Sequence, residues 1–348
     1  MRTFVRAGVR SILVIRLYFV GDVLLSTPVL AALRASFPLA RVDVLIKKRA
    51  LGVLEGNPHL DRVVLYDEAD DYHAPRRLLS LALRLRRARY DLAVDLTGDH
   101  RSSLLMAAAD PGFRVGLNHA GMGFLLDRRI PYRAEGHVID HLLSSVEKIG
   151  VLAAERSPVL VLGGDELARA RALLEGAGVN PASPFLALSP GANWVRRRWP
   201  ADRFGKLAAL ARERLGCPSV VTGSGSDVPL ADSVVAGSGG AAVSLAGSTS
   251  LRALAGVARL AAVFVGNDSG PMHVAASQGT PVVGLFGPNT PERYAPRGAP
   301  SRVLWARPPC SPCSQRKCVR EADPCMEAIA VTDVLDAVCS LFEAGRER

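Results

Sequence analysis

Apolar runs that stop at glycine or at polar turns recur along this chain and predict the strands of an α/β protein. The pattern is most complete in the second half, where the run Ala261–Val265 precedes a polar turn and the small-residue segment Met272–Gln278. A second apolar run, Pro281–Phe286, follows that segment. Strand, helix and strand in this order form the repeating unit of a parallel sheet.

The same alternation occupies the rest of the chain, and we expect doubly wound parallel sheets. Ser11–Leu17 is apolar on both faces, as a central parallel strand should be. Pro28 either begins the helix that follows, with Thr27 as its cap, or kinks that helix internally. Other predicted strands are Val42–Ile46, Val63–Leu65, Tyr90–Leu96, Arg114–Leu117, Arg128–Pro131, Phe185–Leu188 and Pro218–Thr222. Other predicted helices are Pro75–Arg89, His137–Gly150, Ser250–Ala258 and Thr332–Phe342.

Length and composition indicate a globular protein with two domains. The chain has 348 residues, 49% of them apolar and 22% charged, which is too long for one compact core. The N-terminus superficially resembles a signal peptide, but Arg16 and Asp22 interrupt its apolar run. No stretch approaches the roughly 20 uninterrupted apolar residues of a membrane helix. We therefore predict a cytoplasmic protein that contacts membranes only at their surface.

The net charge of +10 attracts polyanions such as nucleic acid, anionic lipid or a phosphorylated acceptor. Aromatic residues make up only 5% of the chain, which disfavours nucleic acid because few side chains can stack on bases. Charge on a helix face is usually just solvated. The alternative is a face that binds phosphate through guanidinium groups at an anionic membrane. Its candidate residues are Arg76, Arg77, Arg84, Arg87, Arg128, Arg129 and Arg133.

The turn before Met272 predicts an anion site at a helix N-terminus. Ser269 suits the N-cap position, and Pro271 suits the first helical turn. The backbone N–H groups there, with no bulky side chain at Gly270, would bind an anion, most plausibly a phosphate. An ordinary well-capped helix would account for the same residues.

Asp268–His273, followed by Gly287–Thr290, resembles the signature of the family 9 glycosyltransferases, whose best-known members are lipopolysaccharide heptosyltransferases. The resemblance extends over nearly the whole chain, with its motifs in the same order. It implies a GT-B fold, in which two Rossmann-like doubly wound domains face each other across a cleft. Residues 1–165 would bind the acceptor and 166–348 the nucleotide-sugar donor. In GT-B proteins the final helix, here 332–345, often packs back on the first domain.

The resemblance also implies a catalytic base. The residues around Asp22 match the opening motif of the family, in which this aspartate is thought to be the general base. The match departs at Tyr18–Val20, where small residues are usual, and this puts the identity of the acceptor in doubt. Asp22 also suits a purely structural role as an acid at a helix N-terminus.

In the second domain the resemblance implies a donor site. Arg197 precedes the family's Trp-Pro pair at a position where lysine is commoner, and its charge suits a diphosphate leaving group. Asp227 takes a position that is usually glutamate, where an acid can accept hydrogen bonds from ribose hydroxyls. The implied donor-binding residues are Gly191, Asn193, Arg197, Asp227, Asp268, Ser269, Gly270 and His273.

The implied reaction is an inverting sugar transfer that needs no divalent metal and no other cofactor. ADP-heptose as donor and a lipopolysaccharide core as acceptor are the family's commonest case. Two alternatives stay open, a nucleotide-sugar epimerase of the same fold and a basic binding protein without activity. A nicotinamide dehydrogenase is disfavoured because Leu17–Asp22 lacks the glycine-rich turn that belongs after the first strand.

Four of the six cysteines are clustered near the C-terminus. Cys217 and Cys339 stand alone and suit buried apolar positions. The cluster suggests a structural clip, either a zinc site or a set of thiols or disulfides, and a cytoplasmic location favours zinc over disulfides. Its members are Cys310, Cys313, Cys318 and Cys325.

Overall fold

The computed structural model describes residues 3–67, 75–132, 135–322 and 324–346. The chain divides into two compact units, Met1–Val161 and Leu162–Arg348. The division falls four residues before the boundary placed after residue 165, and it precedes a helix that begins at Gly164. Arg133 is among the residues that lie outside the described ranges.

The first unit is built on a six-stranded parallel sheet in the order β3-β2-β1-β4-β5-β6. Strand β1 is buried along its whole length, as its apolar sequence predicts. The strands are β1 (Ser11–Arg16), β2 (Arg41–Lys47), β3 (Arg62–Tyr66), β4 (Leu92–Asp95), β5 (Phe113–Leu117) and β6 (Arg128–Ile130). The helices are α1 (Val20–Leu24), α2 (Thr27–Ser36), α3 (Leu51–Leu54), α4 (Pro75–Arg87), α5 (His100–Ala109) and α6 (Val138–Glu147).

The second unit repeats this topology, with the strand order β12-β11-β10-β7-β8-β9 and parallel pairing throughout. Both orders are those of a Rossmann sheet. The strands are β7 (Leu186–Ser189), β8 (Ser219–Val221), β9 (Ala242–Ser244), β10 (Val263–Asn267), β11 (Val282–Phe286) and β12 (Ser301–Trp305). The helices are α7 (Gly164–Gly176), α8 (Ala201–Leu215), α9 (Val228–Gly237), α10 (Leu251–Leu260), α11 (Gly270–Ser277), α12 (Pro291–Tyr294) and α13 (Val331–Arg346).

The final helix is part of the core of the second unit. Val334, Val338 and Phe342 of α13 are buried in one cluster with Phe204 of α8 and Trp199. Helix α13 also packs on strands β10, β11 and β12. Burial of each large apolar side chain contributes roughly 1.5–3 kcal/mol to the stability of the folded state. Helix α13 is therefore needed for the stability of the second unit.

The segment around Pro28 contains two helices instead of one. Helix α1 ends at Leu24, and α2 begins at Thr27 with Pro28 in its first turn. Pro28 therefore starts a helix, as one of the two interpretations predicted. The N-cap position is occupied by Ser26 and not by Thr27, so the predicted cap was wrong. The Thr27 hydroxyl instead donates to the Leu24 carbonyl oxygen at 2.8 Å.

None of the described helices is both long enough and apolar enough to cross a membrane.

A bidentate ion pair joins α7 to α10 at the surface of the second unit. Arg252 donates from Nε to Glu166 Oε1 and from Nη2 to Glu166 Oε2, the second contact at 2.6 Å. Glu166 Oε2 also accepts the Gly163 N–H at 2.7 Å, which satisfies an amide at the start of α7. The hydrogen bond from Arg252 lowers the pKa of Glu166 to about 2.

We expect Glu166→Gln to lower the free energy of unfolding at pH 7 by about 1 kcal/mol, the upper range for partly exposed ion pairs. Because folding lowers the pKa of Glu166, its contribution is complete above the unfolded pKa of about 4.3 and is lost as the pH falls toward about 2. Urea denaturation at pH 7 and pH 3.5 measures this difference. Glu175→Gln, on an exposed position of the same helix, is the control. An equal difference between wild type and Glu166→Gln at both pH values would contradict the assignment.

Candidate active site

Both sheets place their candidate residues where the strand order reverses. In the first sheet this point lies between β1 and β4, and in the second between β10 and β7. Asp22 follows β1, Asp268 follows β10 and Gly191 follows β7. Open α/β sheets bind ligands beyond the carboxyl ends of their strands at such points. The parallel topology therefore brings these residues to the ligand-binding edge of each sheet.

Asp22 is held from behind by a buried arginine. Its side chain is 30% exposed, whereas that of Arg16, the last residue of β1, is 4% exposed. Arg16 Nη2 lies 3.3 Å from Asp22 Oδ1, and Nε donates to the Asp22 carbonyl oxygen at 3.2 Å. Arg16 Nη1 donates to the carbonyl oxygen of Leu96. These contacts fix the position of a carboxylate that solvent still reaches.

The bulky residues that precede Asp22 have separate surroundings. The Arg16 guanidinium lies over the Tyr18 ring, 4.8 Å from its centroid, so Tyr18 shields the buried cation. Burial raises the pKa of Tyr18, and the neighbouring Arg16 charge opposes that rise. Phe19 is 43% exposed and lies under the Arg49 guanidinium at 4.3 Å. Of these two aromatic rings, Phe19 is the more exposed to solvent.

A second carboxylate, Asp95, lies at the end of the neighbouring strand β4 and is completely buried. Its Oδ1 accepts the N–H groups of Thr97 and Gly98 at 2.9 and 3.0 Å, and Oδ2 accepts the Ser102 hydroxyl at 2.8 Å. Burial raises the pKa of Asp95 to about 6, although these hydrogen bonds oppose the rise. Because its oxygens are already bound to internal donors, Asp95 organises the turn after β4 and does not rival Asp22 as an accessible base.

In the second unit, Asn267 at the end of β10 joins three loops. Its Nδ2 donates to the Pro190 carbonyl oxygen at 2.9 Å, and its Oδ1 accepts the Trp199 N–H at 2.9 Å. Trp199 is buried, and its indole N–H donates to the Ile329 carbonyl oxygen at 3.0 Å. The Trp-Pro pair is thus a core anchor that fixes the loop carrying Arg197.

Asp268, the next residue, is buried and forms an ion pair with Arg197. Arg197 Nη1 lies 3.2 Å from Asp268 Oδ2, and the Arg197 side chain is 22% exposed. The same carboxylate oxygen accepts the Asn289 amide at 2.6 Å. Arg197 Nε donates to Gln315 Oε1 at 2.9 Å, and Gln315 Nε2 donates to Asn289 Oδ1 at 3.3 Å. The four side chains form a closed ring of hydrogen bonds beside the start of α11.

Ser269 occupies the N-cap of α11, but its side chain does not cap the helix. The predicted N-cap position is therefore confirmed, whereas the hydroxyl donates to the Asn267 carbonyl oxygen at 3.2 Å and caps no amide of the helix. The helix begins at Gly270, two residues earlier than the sequence pattern indicated, and Pro271 lies in its first turn. The Ser269 side chain therefore leaves the amide groups at this helix terminus to other acceptors. His273 is buried on the same helix.

Two other predicted donor residues lie next to each other. A Cβ atom at Gly191 would lie 2.7 Å from Asp227 Oδ1, so only glycine fits at that position. Asp227 Oδ2 accepts the Ser224 N–H at 2.9 Å and the Ser224 hydroxyl at 2.6 Å. These contacts hold the carboxylate against the turn after β7. Asn193 is exposed on the loop that follows.

The candidate arginines of the first unit lie on two different elements. Arg76 and Arg77 are in the first turn of α4, and Arg128 and Arg129 are on β6, the outer strand of the sheet. All four are exposed. A single acceptor-binding face formed by these residues remains a prediction.

The four clustered cysteines have free thiols. Burial raises the pKa of Cys325, and the charges of Cys310, Cys313 and Cys318 raise it further, so the four thiols lie close enough to interact. Within the described ranges, no three His, Cys, Asp or Glu residues are arranged to hold a metal ion. A structural zinc at this cluster remains a prediction.

Three residues of these sites were missed by sequence reasoning. Arg16 could have been found as a charged residue at the end of an apolar strand. Asn289 lies inside the Gly287–Thr290 part of the family signature. Gln315 gave no signal, because it lies in an irregular segment between cysteines. It adopts φ 60°, a left-handed conformation that is uncommon for residues other than glycine.

Comparison with known proteins identifies the family. The family model for glycosyltransferase family 9 (heptosyltransferase) matches residues 78–322, more than two-thirds of the chain. Lipopolysaccharide heptosyltransferase 3 of Escherichia coli K12 is 27% identical over 277 residues, covering 77% of this chain and 79% of that protein.

Solved structures show the same fold. A family 9 glycosyltransferase from Veillonella parvula superposes with a TM-score of 0.85 at 24% identity, covering 96% of this chain and 97% of that one. The E. coli ADP-heptose lipopolysaccharide heptosyltransferase II superposes with a TM-score of 0.78 at 23% identity, covering 97% and 99%. The predicted α/β fold of the GT-B type is therefore confirmed. The match to the family model, together with these relatives, shows that the chain is a glycosyltransferase and belongs to glycosyltransferase family 9.

Proposed function

We propose that this protein transfers a heptose from ADP-heptose to a phosphorylated lipopolysaccharide-core glycan, with inversion at the anomeric carbon. The observation that carries the proposal is the Asp268–Arg197 ion pair beside the start of α11, at the switch point of the second sheet. A cation and a helix N-terminus together suit the diphosphate of a nucleotide sugar. The names of the relatives, a lipopolysaccharide heptosyltransferase and an ADP-heptose lipopolysaccharide heptosyltransferase, support this choice of sugar and acceptor.

Asp22 is the proposed general base. The acceptor hydroxyl attacks the anomeric carbon on the face opposite the leaving group, while its proton passes to the Asp22 carboxylate. The bond from the anomeric carbon to the phosphate oxygen breaks, and ADP leaves with the electron pair. A single displacement of this kind inverts the anomeric configuration. Arg16 holds the carboxylate in place through its contact at 3.3 Å.

The donor would lie at the switch point of the second sheet. Arg197 uses Nε and Nη1 for internal contacts, and its remaining nitrogen, Nη2, is proposed to reach a phosphate oxygen. The amide groups at the start of α11 would bind a second phosphate oxygen. Asp227 is proposed to accept hydrogen bonds from the ribose. Hydrogen bonds from Arg197 and from the amide groups of the helix terminus would stabilise the leaving ADP, and the proposed mechanism uses no divalent metal and no other cofactor.

Cytoplasmic location with peripheral attachment to an anionic membrane is the proposed setting. Helix α4 exposes three leucines, of which Leu79 is 59% exposed, and α5 beside it exposes Leu104. Apolar side chains interleaved with guanidinium groups are typical of helices that lie in a membrane interface. The exposed leucines of α4 are Leu78, Leu79 and Leu83. The arginines on the same helix are Arg76, Arg77, Arg84, Arg86 and Arg87.

Acceptor-dependent turnover tests the proposed function directly. Wild-type protein should release ADP from ADP-heptose only when a phosphorylated core acceptor is present, and the acceptor should gain the mass of one heptose. Consumption of the donor without an acceptor would favour epimerase activity. Absence of turnover with every nucleotide sugar and acceptor tested would favour a binding protein.

We expect Asp22→Asn to lower kcat by about 10²–10⁴-fold, the usual contribution of a general base. The Kd for ADP should stay unchanged, because the proposed donor site lies in the second unit. A purely structural Asp22, an acid in the first turn of α1, would leave kcat close to wild type, because Asn has the same size and keeps most of the side chain's hydrogen bonding. Asp110→Asn, at an acid that pairs with Arg114 on the surface of the same unit, is the control.

We expect leucine at both Ser269 and Gly270 to raise the Kd for ADP at least tenfold, because the side chains would cover the amide groups at the start of α11. Isothermal titration calorimetry measures the change. Ser277→Leu, at the opposite end of α11, is the matched control and should bind ADP like wild type. If the Ser269/Gly270 variant binds ADP with unchanged affinity, the diphosphate does not bind at the start of this helix.

We expect the protein to sediment with vesicles that contain anionic lipid and not with neutral vesicles. Leu79→Gln combined with Leu83→Gln should reduce the bound fraction, since each buried leucine contributes roughly 1.5–3 kcal/mol. Leu39→Gln is the control, because Leu39 is 98% exposed and lies on the turn between α2 and β2, outside α4. If the Leu79/Leu83 variant and the Leu39 control bind anionic vesicles equally, α4 is not part of the membrane contact.

A further inference from the structure

We infer that Gln315 is a positioning residue of the donor site, inserted by the cysteine-bearing loop to hold Arg197 in place while adding no charge. The inference rests on the proposed function, because it concerns how the site would bind a nucleoside diphosphate. We define the loop by its described residues 306–322, which lie between β12 and a short turn of 3₁₀ helix at Cys325–Ala328.

The hydrogen-bond ring requires an amide at position 315. Gln315 accepts from Arg197 Nε at 2.9 Å and donates to Asn289 Oδ1 at 3.3 Å. Asn289 in turn donates to Asp268 Oδ2, which also accepts from Arg197 Nη1. Each side-chain amide therefore acts once as donor and once as acceptor. A carboxylate at 315 would accept from Arg197 but could not donate to Asn289, and an apolar side chain could do neither.

The charge of this cluster explains why a neutral side chain belongs there. The Arg197 cation is already compensated by one carboxylate, that of Asp268 at 3.2 Å. A second carboxylate at position 315 would leave the cluster with a net negative charge beside the start of α11. That charge would oppose the binding of a diphosphate, and burial of Gln315 and Asp268 would strengthen the repulsion.

The cysteine-bearing loop is seated on the turn that follows β11. The Ser311 hydroxyl and the Cys313 N–H both donate to the Pro288 carbonyl oxygen, at 2.9 and 3.2 Å. A Cβ atom at Gly287 would lie 2.8 Å from Cys325 Sγ, so the end of the cysteine cluster packs directly on this turn. The turn 287–289 therefore carries Asn289 of the ring and also supports the loop that carries Gln315.

The backbone at Gln315 is held as firmly as its side chain. Arg196 Nε donates to the Gln315 carbonyl oxygen at 3.3 Å, and Gln315 adopts a left-handed φ of 60°. Cys313 lies two residues before it and Cys318 three residues after it, so the thiol cluster brackets the turn. Two neighbouring arginines thus contact one residue, Arg196 through the backbone and Arg197 through the side chain.

The experiment compares Gln315→Met, which removes both hydrogen bonds at similar size, with Gln315→Glu, which adds a charge. ADP binding is measured by calorimetry at 50 and 500 mM salt, together with kcat and KM for the donor and the melting temperature. Gln278→Glu is the matched control, since Gln278 is a buried glutamine at the opposite end of α11.

We expect Gln315→Met to raise the Kd for ADP by about 3–10-fold, because it removes the acceptor for the Arg197 guanidinium and the donor to Asn289. Gln315→Glu should raise it further, and its excess over Gln315→Met should shrink at 500 mM salt because the repulsion is screened. The KM for the donor should follow the Kd, with kcat changed much less. The control should bind ADP like wild type.

Wild-type affinity in both Gln315 variants would overturn the inference and leave the proposed function intact. If Gln315→Met and Gln315→Glu lose ADP affinity equally and their melting temperatures fall equally, Gln315 has a purely structural role. That result would also overturn the inference. If wild type binds UDP or GDP instead of ADP, the same comparison is made with that nucleotide. Wild-type protein that binds no nucleoside diphosphate would overturn the proposed function and this inference together.

Discussion

The burial of one charged partner in each unit is the constraint on which both sites depend. A buried ion is costly unless opposite charge and hydrogen bonds compensate it. In the first unit the buried partner is the cation Arg16, which holds the partly exposed carboxylate of Asp22. In the second unit the buried partner is the carboxylate of Asp268, which holds the partly exposed cation Arg197. The exposed member is a carboxylate in the first pair and a guanidinium in the second.

The two units reach this result on the same backbone plan. Their sheets share one strand order, so each has a single point at which neighbouring strands diverge at the carboxyl edge. The loops at that point differ. In the first unit, Asp95 accepts hydrogen bonds from the turn that follows β4. In the second unit, Asn267 forms hydrogen bonds with both the turn after β7 and the loop that contains Trp199. The same fold therefore presents a partly exposed carboxylate in one unit and a partly exposed guanidinium in the other.

The irregular cysteine-bearing loop is part of the site of the second unit. It contributes Gln315 to the ring around Asp268, and it is seated on the turn that carries Asn289. A ring in which every amide uses a donor and an acceptor is sensitive to the loss of any member, because an unpaired buried polar group costs about 1–3 kcal/mol. Gln315 therefore helps to hold Arg197 and Asp268 although it lies far from both in the sequence.

The sequence by itself determined the alternation of strands and helices, the family resemblance and the position of Asp22. These features are local, because apolar runs and glycine turns depend on neighbouring residues alone. Only the tertiary structure decided the partners of the charged groups. Arg197, Asp268, Asn289 and Gln315 are distant in the chain and carry no shared pattern. The Ser269 hydroxyl has two local partners to choose from, the Asn267 carbonyl oxygen and the amides of α11, and it bonds Asn267. The sequence alone does not distinguish these partners, because the backbone geometry at the end of β10 is set by the fold around it.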